Sequence, residues 1–439
     1  MRSSGVIHKR KGLLPLVEKV RPMSESHREF VLADSFSYLN KGDAGIIMGM
    51  LEDLSHRFDQ PRFTLVTETP EIDDQRYADI ETMDSPYRRV YRVDSTVEKI
   101  LWFGFTVVTL CWGLFYRISD GRVPCPGPLA IVEVYGSADA VLVSGGDKYY
   151  DYDDGFKRAI DGLPKIFETV LAIIVGTKLM IYAHSGGPFE NRYRRKLLEW
   201  MCKNSQVITA REPISETYFA SLDPKVQLTA DAAFLAPDGS EDSARAELTE
   251  HGIDPTKPLV GLTARRWHFP ESNEDMEQYR EGIKAVATEF REEGYQVALL
   301  PQVIGPYTDD RVVSREIARG FDEVAVLEED YDVPLLREII GQCDVFVGTR
   351  MHSNIFALSK SVPTVAIAYR HKTNGIMQMF GLENHVVEID RVQTDLPEAV
   401  DEILANKERV AEIIESELPN IQDQARKNSE YAKEMIQGL

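Results

Sequence analysis

The residues best suited to chemistry stand at the ends of short apolar runs. Val345–His352, VFVGTRMH, is an uncharged run that stops at Gly348 and delivers Arg350 and His352 within four residues. Arginine offers a planar fork for carboxylate or phosphate, and histidine titrates near neutrality. The pattern recurs. The run TVAIA (364–368) ends in Tyr369-Arg370-His371-Lys372, LVGLTA ends in Arg265-Arg266, and QVITA ends in Arg211. Convergence of Arg211, Arg265, Arg350 and Lys372 on one crevice would make a pocket for a small anion, with His352 as its acid or base. Glycine turns follow other apolar runs: Asn40-Lys41-Gly42-Asp43, Ser144-Gly145-Gly146-Asp147, His184-Ser185-Gly186-Gly187-Pro188 and Gly305-Pro306. Glycine there lets a backbone approach a ligand and exposes amides, which makes Asn40, Gly145 and Gly146 binding candidates. None matches G-x-G-x-x-G, a P-loop, G-x-S-x-G or H-E-x-x-H, so no dinucleotide, nucleotide-hydrolysing or metal site is expected.

The elements that must position these residues alternate. Strands are expected at 29–36, 63–69, 140–144, 178–183 and 207–209, with helices at 44–54, 157–172 and 190–204. After a polar stretch at 237–257 the rhythm restarts with strands at 259–263, 296–300, 324–327, 345–348 and 364–368. Helices at 275–293, 309–319, 334–341 and 353–359 lie between them. Such alternation means an α/β chain with two doubly wound Rossmann-like domains, residues 28–240 and 255–395, that face each other across a cleft. Ligand then sits at the carboxyl ends of the strands. Residues 1–27 read as a loose extension, 70–139 as an irregular insertion, and 396–439 as a helical tail that Pro419 should break or kink.

With 50 Lys and Arg against 71 Asp and Glu, the chain carries a net charge of −21. That excludes a general nucleic-acid binder, which needs a basic footprint. Cys111, Cys125, Cys202 and Cys343 form no C-x-x-C pair, so a reducing, cytoplasmic compartment is expected. Ile100–Tyr116 holds 17 uncharged residues between Lys99 and Arg117. It reads as a buried or surface-docked element, as an interfacial anchor at the inner membrane face, or as a membrane span at the lower limit of length.

Taken in order, N-x-G-D at 40–43, SGGD at 144–147, GGPF at 186–189, ITAREPIS at 208–215 and DAAF at 231–234 lead to GTRMHSNIFAL at 348–358 and VPTVAIAYRHK at 362–372. Together they resemble the polysaccharide pyruvyl transferase family. The resemblance implies a two-domain fold like that of GT-B glycosyltransferases, and transfer of pyruvate from phosphoenolpyruvate to sugar hydroxyls as a ketal, with no metal or redox cofactor. It places the family's histidine on His352, its arginines on Arg350 and Arg211, and its lysine on Lys372. Asp43 or Asp147 is then the base toward the sugar. The implied partners are phosphoenolpyruvate and a glycan acceptor that could be lipid-linked, with homo-oligomers open. A nucleotide-sugar GT-B glycosyltransferase using Glu328-Glu329-Asp330 is the alternative, as is a non-catalytic glycan-binding or scaffold member.

Overall fold

The computed structural model describes residues 27–85, 95–151, 166–267, 274–305, 308–321 and 323–438. Nearly all of the expected N-terminal extension, residues 157–165 of the expected helix at 157–172, and Pro306 of the last glycine turn lie outside the described residues. The first half holds β1 (Glu29–Ser35), β2 (Arg62–Thr67), β3 (Glu81–Asp84), β4 (Ala140–Val143), β5 (Asp147–Asp151), β6 (Leu179–Phe189), β7 (Val207–Ala210) and β8 (Gln227–Leu228). They form one parallel sheet in the order β3-β2-β1-β4-β6-β7-β8, with β5 beside β6. The second half holds β9 (Leu259–Thr263), β10 (Gln296–Leu299), β11 (Val324–Val326), β12 (Val345–Gly348), β13 (Thr364–Ala368) and β14 (Val386–Glu388), in the order β11-β10-β9-β12-β13-β14.

The helices of the first half are α1 (Lys41–Arg57), α2 (Pro70–Asp73), α3 (Thr96–Ile118), α4 (Ala130–Ser137), α5 (Phe167–Val175), α6 (Arg192–Asn204) and α7 (Pro213–Ala220). Then follow α8 (Glu241–Glu250), α9 (Glu274–Glu292), α10 (Asp310–Ala318), α11 (Val333–Gly341), α12 (Met351–Leu358), α13 (His371–Met379) and α14 (Val392–Gln437). Central strands are apolar on both faces because helices cover both. Phe30 and Leu32 of β1 join the α1 side, while Val31 and Ala33 pack under α4 and α5. In each sheet the chain reverses direction of growth once, between β1 and β4 and between β9 and β12. A crevice opens at the carboxyl ends of strands at such a point.

Several expectations are corrected. Helix α1 begins at Lys41 rather than Ala44, so the turn residues Lys41, Gly42 and Asp43 are its first turn and Asn40 its N-cap. An acidic residue there suits the helix dipole. His184–Pro188 is no turn; β6 runs on to Phe189 because β5 pairs with its second half. The insertion at 70–139 is not irregular: it supplies edge strand β3, exposed helix α3 and covering helix α4, whose Ile131, Val132 and Tyr135 are core. Within the stretch 237–257 stands α8, with Ala244 and Leu248 buried.

Residues 396–439 are not a separate tail. Helix α14 starts on the second sheet, where Leu396, Val400 and Ile403 are buried, and ends on the first. There Asn428 accepts from Thr209 (2.6 Å) and Thr229 (3.0 Å), and Lys178 Nζ donates to the carbonyls of Met435 and Ile436. Helical geometry lapses at Asn406, not at Pro419. Buried Ile414 and Ile421 on either side hold the helix through the proline.

Where α1 meets α14, burial lifts the carboxyl of Asp53 to about 6, although Ser429 and Arg57 pull it down. A raised carboxyl binds its proton more tightly folded than unfolded, so stability falls as pH rises from 4 through 6. Asp53→Asn should therefore be more stable than the parent by about 1–3 kcal/mol at pH 8. The gap should close near pH 4, as urea unfolding at both pH values would show.

Candidate functional site

The strand ends of the two sheets face one another across a cleft of about 200 Å³. From the first half come Phe36, Asn40, Gly42 and Asp43 after β1, Gly146 after β4 and Arg211 after β7. The second half contributes Arg265 and Trp267 after β9, Gln302 after β10, Arg350 and His352 after β12, and Tyr369, Arg370 and Lys372 after β13. Eight expected site residues thus share one cavity: Asn40, Asp43, Gly146, Arg211, Arg265, Arg350, His352 and Lys372. Gly145 does not line it; a Cβ there would lie 2.7 Å from the Ala183 carbonyl, so this glycine serves backbone packing. Asp147 opens β5, and its side chain lies outside the described residues.

Of the four arginines lining the cleft, Arg211, Arg350 and Arg265 differ in what already holds them. Arg211 is fully buried; it donates to Ser185 Oγ (2.7 Å), Asp231 Oδ2 (2.8 Å) and the Gly146 carbonyl (3.2 Å). It lines the cleft as expected, braced by these partners, and sits 3.4 Å from His352 Nε2. Arg350 makes a forked pair with buried Asp310, at 2.5 and 3.0 Å. Burial works against its charge, but Asp310 outweighs burial and raises its pKa. Arg265 has no ion pair among the described residues. Its guanidinium lies 4.2 Å from the Tyr369 ring centre and 4.8 Å from that of Trp267, and its Nε is buried without a hydrogen-bond acceptor. Burial, reinforced by nearby Arg350, lowers its pKa. An anion entering the cleft would supply what Arg265 lacks.

His352 reaches the cleft from the first turn of α12, with Nε2 3.6 Å from Asp231 Oδ2. Burial alone would raise the Asp231 carboxyl, yet Arg211 and His352 hold it well below the usual carboxylate range. An ionised acid beside an imidazole orients the ring. Gly42 makes room, since a Cβ there would fall 2.2 Å from His352 Nδ1. Asp43 accepts from Asn40 Nδ2. Burial raises its pKa, and neighbouring His352, Lys148, Lys372 and Arg211 only partly counter that. A carboxylate so raised is suited to accept a proton.

Behind this layer lies a buried second one. Lys148 pairs with Asp34 at 3.0 Å, and His184 Nδ1 donates to the Ser185 carbonyl (2.8 Å). Burial, with help from Lys148 and Arg211, depresses His184 to about 3 and keeps it neutral at physiological pH. At the rim, Asp330 binds Lys41 and Arg76 and so ties the two halves together. Glu328 is paired with Arg315 and Glu329 with Tyr331 and His251, so the acids considered for a nucleotide ribose are engaged elsewhere. Asp231, Asp310, Trp267 and Gln302 carried no role in the sequence reading. Asp231 lay in the DAAF stretch, but only its distance from Arg211 and His352 assigns one.

Among known proteins, the family model described as "Polysaccharide pyruvyl transferase" matches residues 40–371. Amylovoran biosynthesis protein AmsJ of Erwinia amylovora is 24% identical over 256 residues, 56% of this chain. The match spans about 60% of that protein's length. Among solved structures, a glycosyltransferase of Rickettsia africae superposes with a TM-score of 0.53 at 10% identity, covering 94% of this chain and 99% of that one. MnaA of S. aureus, solved with UDP, gives 0.52 at 12% identity over 89% and 91%. At such identities the likeness shows the fold alone, and that fold is of the GT-B type.

Removing Asp231 would leave the Arg211 guanidinium buried without its counter-ion. Asp231→Ala should cost about 3–5 kcal/mol in chemical unfolding, and a double replacement of Arg211 and Asp231 by Met and Leu should recover most of it. Because the folded carboxyl is held low, the parent's advantage over Asp231→Asn should shrink as pH falls below about 4.

Proposed function

Since the chain belongs to the polysaccharide pyruvyl transferase family, we propose that it moves the pyruvyl group of phosphoenolpyruvate onto two hydroxyls of a sugar in an exopolysaccharide or cell-surface glycan precursor, forming a ketal. The observation that carries this reading is Arg265, a half-buried guanidinium whose Nε has no acceptor and which has no carboxylate of its own among the described residues, in a small cleft with Arg350 and Lys372. Phosphoenolpyruvate brings a carboxylate and a phosphate, each a match for a guanidinium fork. The likeness to a protein named for amylovoran biosynthesis supports a polysaccharide acceptor.

In this mechanism His352 gives a proton to the methylene carbon of the enol, and positive charge develops at the carbon bearing carboxylate and phosphate. A sugar hydroxyl adds to that carbon and loses its proton to Asp43. A second hydroxyl of the same sugar then displaces phosphate, its proton leaving with the phosphate, and the cyclic ketal closes. Asp231 keeps a negative charge beside His352 and so partners its protonated form. Arg265 and Arg350 hold the carboxylate and the departing phosphate, with Arg350 kept in place by Asp310. Holding two hydroxyls against one carbon contributes through orientation, and preset cations contribute where phosphate charge builds up. The free thiols suit a reducing compartment, so we place the reaction in the cytoplasm.

His352→Ala should lower turnover by about 10²–10⁴-fold while melting and circular dichroism stay those of the parent. Phosphate release and the pyruvyl mass increment on the acceptor would measure it, and near-parental turnover would reject the role. Phosphoenolpyruvate should raise the melting temperature, UDP- and GDP-sugars should not, and Arg265→Met should weaken phosphoenolpyruvate binding at least tenfold. Stabilisation by a nucleotide-sugar alone would favour the glycosyltransferase reading.

A further inference from the structure

Helix α3 is apolar on two sides and has a protein partner on only one. Its inner side, with Phe105, Leu110, Trp112 and Tyr116, packs on the core beneath α4 and α5, and Thr109 is fully buried. Its outer side is bare. Nine of the twelve large apolar side chains exposed among the described residues belong to this helix, including Ile100 (65%), Leu101 (66%), Phe103 (58%) and Phe115 (60%). Exposure this concentrated marks an interaction surface rather than ordinary apolar scatter. We infer that the outer face of α3 docks on a phospholipid bilayer, lying along the boundary between headgroups and hydrocarbon.

Three observations choose lipid over a second copy of the chain. The run from Ile100 to Tyr116 has no charged residue, and exposed Lys99 and Arg117 close its two ends. The Lys99 cation can reach headgroup phosphates while the uncharged stretch stays in an apolar medium, whereas Arg117 turns to the protein and donates to the Ile173 carbonyl (3.4 Å). A protein interface would carry a polar rim instead. Two copies would also bring together net charges of −21 each, which repel. Crossing the bilayer is a different matter, although Val97–Ile118 is long and apolar enough for it. Strands β3 and β4, before and after the helix, belong to one sheet, and its inner face is committed to α4 and α5. The helix therefore lies on the membrane instead of spanning it.

Two glycines seat the end of the helix. Tyr116 rests on Gly136 at the end of α4, and Arg117 on Gly176 after α5, both at the amino edge of the first sheet. These contacts hold the last turns of the 23-residue helix, which is about 34 Å long, and leave its first turns exposed. The inference stands independently of which donor the cleft takes.

The native thiol of Cys111 is exposed and those of Cys125, Cys202 and Cys343 are buried, so the full chain can be labelled at Cys111 with an environment-sensitive fluorophore. Vesicles of phosphatidylcholine and phosphatidylethanolamine should shift its emission to the blue and carry the unlabelled protein in flotation. The double variant Leu101→Glu/Phe115→Glu should lose at least tenfold in partitioning with an unchanged melting curve. Absence of both shift and flotation would overturn the proposal. So would a stable dimer in vesicle-free buffer that the same double variant splits.

Discussion

A guanidinium cut off from water must find every partner inside the protein, and Arg211 finds its partners within one strand and at the ends of three others. Ser185 on β6, the carbonyl after β4, Asp231 after β8 and the imidazole after β12 all meet it. An unpaired buried charge costs several kcal/mol, so packings that displace any one of these ends are penalised together. The first three belong to one sheet and the imidazole to the other. One ionic contact therefore sets both the shape of the first half's site and the seat of the second half against it.

Around that anchor the cations divide by whether their charge is already answered. Arg211 has Asp231 and Arg350 has Asp310, so their positions are set before any ligand arrives. Arg265 is held by the aromatic faces of Trp267 and Tyr369, which position a cation without neutralising it. The −21 of the whole chain and the cationic cleft are compatible because fields in a small low-dielectric cavity are decided by the nearest groups. Lys41 and Arg76 on Asp330, with α14 running from one sheet to the other, hold the halves so that the cleft keeps its dimensions.

Much of this was legible in one dimension. Strands β9, β12 and β13 stand where the apolar runs place them, at 259–263, 345–348 and 364–368, because a strand covered on both faces is continuously apolar and ends where polar residues begin. That ending alone puts Arg265, Arg350, His352 and Lys372 at the crevice. Errors arose where a residue's local preference yields to a distant partner. Gly42 and Asp43 look like turn formers, yet they open α1 because a helix there must pass against His352. Gly186 and Gly187 look like a turn, yet β5 recruits them into a strand. Asp231 and Asp310 are two acids among 71 acidic residues, and nothing local separates them from the rest.

The order of residues thus determined the doubly wound α/β class, the strand ends and the identity of most of the cations, since burial periodicity and glycine turns are local signals. Only the tertiary structure decided which charges are paired and which wait for an anion. It also decided which apolar run is core and which faces outward, as α3 does. Pairing and burial depend on distances between groups far apart along the chain, and no local pattern encodes those distances.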